Sequence, residues 1–188
     1  IGIFTESIST HYAFFGPSAF IDLIHRLQLH ITGADISFTA PLSFDAVINK
    51  GDVYVSDMFN LYKYENMLYV MTLSGKEIKN YLEESYYLWT NEMKSPNDHL
   101  LWFKKKSKEG AVDRAALQNF SFNFDSASGI IYTVDVTKPK GVKITIISMA
   151  DGTPFRMDET YKVALNSYRG NGGGELLTKG AGIPQEKL

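Results

Sequence analysis

Hydrolysis of a phosphate ester by metal ions needs several histidines and aspartates clustered in short motifs, because each ion draws its ligands from groups that converge. The chain has four histidines, His11, His25, His30 and His99, and no cysteine. His25 and His30 are five positions apart on an expected helix, where only residues three or four apart share a face. No His-Glu-x-x-His motif, Asp-x-His pair or Asn-His-Asp/Glu run occurs, so no metal site is expected, and His11 and His99 read as surface residues. A serine nucleophile has no Gly-x-Ser-x-Gly turn to stand on, and the phosphate loop ending in Gly-Lys-Ser/Thr is missing. Glu83 and Glu84 are neighbours on an expected helix and point in different directions, which assigns them to solvent. No residue is a candidate for catalysis.

Two segments stand out instead. Tyr62-Lys63-Tyr64-Glu65-Asn66 precedes an apolar run, and Asn166-Ser167-Tyr168-Arg169-Gly170-Asn171-Gly172-Gly173-Gly174-Glu175 follows one. Three consecutive glycines beside a Tyr-Arg pair allow close backbone approach or left-handed conformations. Glycine runs are usually flexible connections, but such linkers rarely set an aromatic, an arginine and two asparagines against the glycines. On residue types alone, a ligand loop and a plain turn stay equally open.

The elements that must position these segments follow from periodicity. Gly16-Pro17-Ser18 opens a helix running to about His30 and ended by Thr32-Gly33, with Phe20, Leu23, Ile24 and Leu27 on one face. Ala34–Ala40 reads as a short buried strand stopped by Pro41, and Gly51–Val55 as a second extended piece. Met67–Leu73 is almost continuously apolar, which suggests a strand buried on both faces. Ser74 and Glu77 form a capping box for a helix to about Trp89 that buries Ile78, Tyr81, Leu82 and Ser85. Pro96–Val112 reads as an exposed polar excursion. Gly129–Val136 and Val142–Met149 flank a Pro/Gly turn as a hairpin, and Tyr161–Leu165 is a last strand. Helices interspersed with antiparallel pairs make an α+β class with mixed or antiparallel sheets.

Composition narrows the function classes. At 188 residues, with 44% hydrophobic and 21% charged residues, the chain fits a single domain spanning 1–188 that needs no metal or disulfide staple. A net charge of −2 argues against binding a nucleic-acid duplex, which calls for a basic excess. The basic cluster Lys104, Lys105, Lys106 and Lys108 reads as a solvated loop. No apolar run approaches the roughly 20 residues that span a bilayer. The sequence opens at Ile1 without a visible signal peptide and reads as mid-protein.

Taken together, the blocks GADISFTAPLSF, GDVYVSDMFNLYKYENMLYVMTLSGKEIKNYLE, FNFDSASGIIYTVDVTKPKG and LNSYRGNGGGE resemble, in order and spacing, the C-terminal domain of the 5′-nucleotidase family. Tyr64-x-Asn66, Asn123-Phe124-Asp125 and Asn166-x-Tyr168-Arg169 look most like its 2′,3′-cyclic-nucleotide 2′-phosphodiesterase/3′-nucleotidase branch. The chain departs from the nucleotidase branch around Pro41–Asp45, which carries no basic residue, and at Gly174-Glu175, where that branch offers an aspartate to the ribose.

The resemblance implies a layered α/β/β/α domain that binds the nucleoside. Two divalent metal ions and the hydrolysis would belong to a separate N-terminal metallophosphoesterase domain, and this chain alone would be inactive with no cofactor of its own. By position, Tyr64 and Tyr168 would sandwich the base, Asn66 would hydrogen-bond base or ribose, and Gly172, Gly173 and Gly174 would admit the sugar. Arg169, Asn171 and Glu175 complete the candidate substrate-binding set. The partners implied are a nucleoside or nucleotide and the enzyme's own N-terminal domain. The compartment implied is periplasmic, extracellular or surface-anchored. A stand-alone binding or scaffold module that keeps the fold is the alternative.

Overall fold

The structure, a computed structural model, describes residues 2–104 and 116–188. Lys105, Lys106 and Lys108 of the basic cluster, and the end of the excursion expected to reach Val112, lie outside the described residues.

Short antiparallel pairs open the chain: β1 (Gly2–Phe4) and β2 (Ile8–Ser9) pair with β5 (Gly51–Val53) and β4 (Val47–Ile48) respectively. Between them lie α1 (Ala19–Thr32) and β3 (Ile36–Thr39). Ser18 caps α1 by accepting from the Ile21 amide, and Gly33 ends it in the left-handed conformation, so the expected Ser start and Gly stop are both present. A seven-residue helix, α2 (Val55–Leu61), begins at Val55, the last residue of the expected extended piece. Then come β6 (Leu68–Ser74) and α3 (Gly75–Trp89). The Ser74–Glu77 capping box forms in both directions, at 3.3 Å from the Glu77 amide to Ser74 Oγ and 2.7 Å from the Ser74 amide to Glu77 Oε2. After a 3-10 turn at Ser121–Asn123 follow β7 (Ser126–Ser128), β8 (Ile130–Val134), β9 (Ile144–Met149), β10 (Thr160–Asn166) and the single turn α4 (Ser167–Gly170).

The main sheet has four strands in the order β6-β10-β3-β7, with β10 and β3 parallel and the other pairs antiparallel. Alternation along β3 separates its neighbours. Ser37 turns to α1, where it meets His25 and Gln28, and Phe38 turns the other way to stack on Tyr81 of α3 at 4.2 Å. Helices therefore cover both faces, and the β8–β9 hairpin packs on α3 through Tyr132, Ile144 and Ile146. The class is α+β, as expected.

Two expectations need correction. β6 is not buried on both faces: it is the outer strand, and Tyr69 and Val70 are 37% and 47% exposed. A continuous apolar run marks central strands, and here an edge strand carries one. Glu83 and Glu84 are not solvated but buried. Glu83 accepts hydrogen bonds from the amides of Gly141, Lys143 and Ile144 and from Lys79, while Lys140 pairs with Glu84. The Gly-rich tail is also part of the core, because a π-helical turn at Leu176–Gly180 buries Leu176 and Leu177 fully against α3.

Candidate functional site

The register of β6 against β10 positions the site. Leu68, the first residue of β6, faces Asn166, the last of β10. The segment entering β6 and the segment leaving β10 therefore meet at one end of the sheet. Ser167 and Met67 extend the contact reciprocally: the Ser167 amide donates to Met67 O at 2.8 Å, and the Met67 amide donates to Ser167 Oγ at 3.1 Å. Two stretches a hundred residues apart in sequence are thus fastened together, and each brings its tyrosine with it.

Tyr64 and Tyr168 both line one cavity of about 310 Å³, with Leu42, Asn66, Phe122 and Asn166 as the other walls. The two tyrosines are 42% and 43% exposed as residues, so neither is packed into the interior. The volume is at the small end of the range of ligand pockets. Asn66 is held by its side-chain amide, which donates to Tyr62 Oη at 3.1 Å and leaves Oδ1 and the second N–H to meet a ligand. Asn166 caps α4 by accepting from the Arg169 amide at 2.9 Å, which leaves its Nδ2 as a donor. The walls are aromatic and apolar with two phenol hydroxyls and two carboxamides, and none of them is a carboxylate, an imidazole or a cation. Such a lining can stack and hydrogen-bond a planar heterocycle.

The rest of the expected set is not in the lining. Arg169 is buried, with Nε and Nη2 on the two oxygens of Asp125 at 3.0 and 2.8 Å, Nη2 also on Phe122 O at 2.8 Å, and Nη1 on Gly173 O at 2.8 Å and Asn123 Oδ1 at 3.2 Å. Burial disfavours its charge, but Asp125 outweighs this and raises its pKa above the ordinary value. Burial, and then the Asp125 charge, likewise hold Tyr81 well above its usual range, so its hydroxyl stays protonated and donates to Asp125 at 2.5 Å. Arg169 therefore has no free donor to offer a substrate. Asn171 accepts from Gln185 Nε2 at 3.2 Å, and a side chain on Gly172 would run into Gln185. Gly173 packs behind the Tyr168 ring, where a Cβ would lie 2.5 Å from Cε2. Glu175 has φ of 60°, the one non-glycine residue in the left-handed region among those described, and its carboxylate pairs in solvent with Lys179 at 2.8 Å.

Phe122, Leu42 and Asn166 are wall residues that the sequence reading passed over, although each lay inside a quoted stretch. What marks them is the shared cavity, which no spacing reveals. Among the described residues no three His, Asp or Glu side chains gather as a metal site would require, and no helix is long and apolar enough to cross a membrane.

The family model described as "5′-nucleotidase, C-terminal domain" matches residues 1–179. The trifunctional nucleotide phosphoesterase protein YfkN of Bacillus subtilis is 32% identical over 140 residues, covering 68% of this chain and 9% of that protein. The 2′,3′-cyclic-nucleotide 2′-phosphodiesterase/3′-nucleotidase of Salmonella typhimurium is 27% identical over 148 residues, 71% of this chain and 20% of that one. Among solved structures, a Staphylococcus aureus protein assigned as a 5′-nucleotidase, in complex with α-ketoglutarate, superposes with a TM-score of 0.73 at 26% identity, over 94% of this chain and 32% of that one. The chain thus spans only a minor part of the relatives it matches.

Proposed function

The chain belongs to the family of 5′-nucleotidase C-terminal domains, and on that premise we propose that it is the nucleoside-binding domain of a metal-dependent nucleotide hydrolase, gripping the base between Tyr64 and Tyr168. The observation that carries this reading is the cavity those two rings share with Asn66, at the sheet end where β6 begins and β10 finishes. Stacking on an aromatic ring contributes about 1–3 kcal/mol per base and tolerates any base, because every base has a π-face. Asn66 Oδ1 and Asn166 Nδ2 offer one acceptor and one donor to a base or ribose edge. The absence of a charged wall agrees with a division of labour in which the phosphate is handled elsewhere.

Hydrolysis in this reading belongs to a second, N-terminal domain holding two divalent ions. The residues described here do not fit such a centre, since their acidic and imidazole groups do not converge. 2′,3′-Cyclic and 3′-nucleotides are the first substrates to test, because the Salmonella relative is named for them. A periplasmic or cell-surface location is part of the same proposal and rests on the family resemblance alone.

The test is a titration of the 188-residue chain with adenosine and 3′-AMP, followed through the tyrosine ring resonances. Both Tyr64 and Tyr168 should shift and saturate together at micromolar to millimolar ligand. Unperturbed rings at millimolar ligand would overturn the reading.

A further inference from the structure

We propose that the buried Asp125–Arg169 pair is a positioning device for the nucleoside cavity, setting the Tyr168 ring against the wall that carries Phe122 and reserving the space behind the ring against any side chain at position 174. This rests on the nucleoside reading and adds to it a residue pair outside the cavity lining.

Three observations carry the assignment. The first is where the guanidinium's bonds go. Its five hydrogen bonds reach the 121–125 segment through Phe122 O, Asn123 Oδ1 and both Asp125 oxygens, and the glycine loop through Gly173 O. One of those segments contributes the Phe122 wall, and the other backs the Tyr168 ring. A rigid fork is suited to holding such parts at fixed separation, and the compact ammonium of lysine is not.

The second is direct contact with the ring. Arg169 Cζ lies over the Tyr168 ring at 5.3 Å from its centroid, and Tyr168 Oη reaches Asn123 Oδ1 at 3.5 Å, the same oxygen that Arg169 Nη1 meets. The guanidinium therefore locates the ring at its face, and the hydroxyl adds only a long contact to Asn123.

The third is steric. Gly174 has φ of 70°, and a Cβ there would stand 2.1 Å from Arg169 Nη1 and 2.6 Å from Asn123 Oδ1. The guanidinium and a side chain at 174 exclude one another. No carboxylate can be offered to a ligand from this position while Arg169 is in place.

Stability alone is a weak reason for the pair, because a buried ion pair is often matched by apolar residues of similar volume. The two roles separate in a double-mutant cycle on the 188-residue chain, read by adenosine affinity and by melting temperature. Arg169→Lys should weaken adenosine binding by about tenfold or more, the order of loss a small misplacement of a binding group produces. In a Tyr168→Ala background the same substitution should change affinity less than about twofold, while lowering the melting temperature equally in both backgrounds. Unchanged affinity in Arg169→Lys, or an equal loss in both backgrounds, overturns the proposal. Should Arg169→Lys fail to fold, Arg169→Met with Asp125→Leu replaces the pair by apolar groups. Loss of affinity in that folded double variant supports positioning, and wild-type affinity in it overturns positioning. Failure of the wild-type chain to bind adenosine removes the nucleoside reading as well, whereas wild-type binding that survives these substitutions removes only this one.

Discussion

Tyr64 and Tyr168 present half-exposed rings to one cavity, so ring and hydroxyl can be tested separately. Replacing either by alanine should weaken adenosine binding by about 1–3 kcal/mol, roughly 5- to 150-fold, because a stacking face is lost. Replacing either by phenylalanine should cost less than about threefold, since the Tyr168 hydroxyl makes only the long contact to Asn123. Calorimetric titration of the four variants checks both, and a phenylalanine variant as weak as the alanine one refutes stacking as the source of affinity. A second residue-scale prediction concerns His25. Its ring bridges Ser37 and Ser126 at 2.9 and 3.0 Å, and burial lowers its pKa to about 4, against the partial opposition of Asp125 and Asp22. The unfolded chain protonates this imidazole below about pH 6.5, while the folded chain resists until about pH 4. The stability it supplies is therefore whole above pH 6.5 and is lost as the pH falls from there to about 4, on the order of 3 kcal/mol in all. The melting-temperature gap between wild type and His25→Gln should shrink across that window, and a constant gap would falsify the assignment.

Among the elements, α3 sets one buried carboxylate under the hairpin, beside the Glu84–Lys140 pair and the apolar packing. Glu83 takes the amides of Gly141, Lys143 and Ile144, the three that lead into β9. A glutamine there turns an N–H₂ toward at least one backbone N–H, so Glu83→Gln should destabilise by about 2–4 kcal/mol. Thermal melts should show a fall of roughly 5–15 °C, with adenosine affinity of the folded protein unchanged, because the hairpin is not part of the cavity wall. Much of the element pattern was legible in sequence where local chemistry decides it. Ser18 and Gly33 bound α1, and Ser74 with Glu77 starts α3, because caps act within a few residues of the backbone they satisfy. Placement in the sheet was not legible. The apolar run of β6 gives the same pattern in a central or an edge strand, and only pairing with β10 alone distinguishes them. Adjacent glutamates likewise look solvated until a distant turn folds over them. At the site, Tyr64, Asn66 and Tyr168 were found through the family resemblance, and the cavity gathers them; Arg169 was included with them, but its partner Asp125 lies 44 positions away and claims it.

For the whole molecule, the chain corresponds to a fifth or less of the curated relatives it matches. Joined to a metallophosphoesterase domain, it should support release of phosphate from 3′-AMP that a chelator abolishes. The 188-residue chain by itself should release none, and chelator-insensitive turnover by it alone would sink the two-domain reading. The order of the sheet has a further outcome for how the protein is made. β10 is the last strand in sequence but lies between β6 and β3, pairing Val163 with both Met71 and Ile36. During translation β3 and β6 must wait, each with a bare edge, until Thr160–Asn166 has left the ribosome. Tyr168 emerges two residues later. Leu42, Tyr64, Asn66 and Phe122 have by then emerged, so the interval of bare strand edges ends at nearly the same moment that Asn166 and Tyr168 complete the cavity lining.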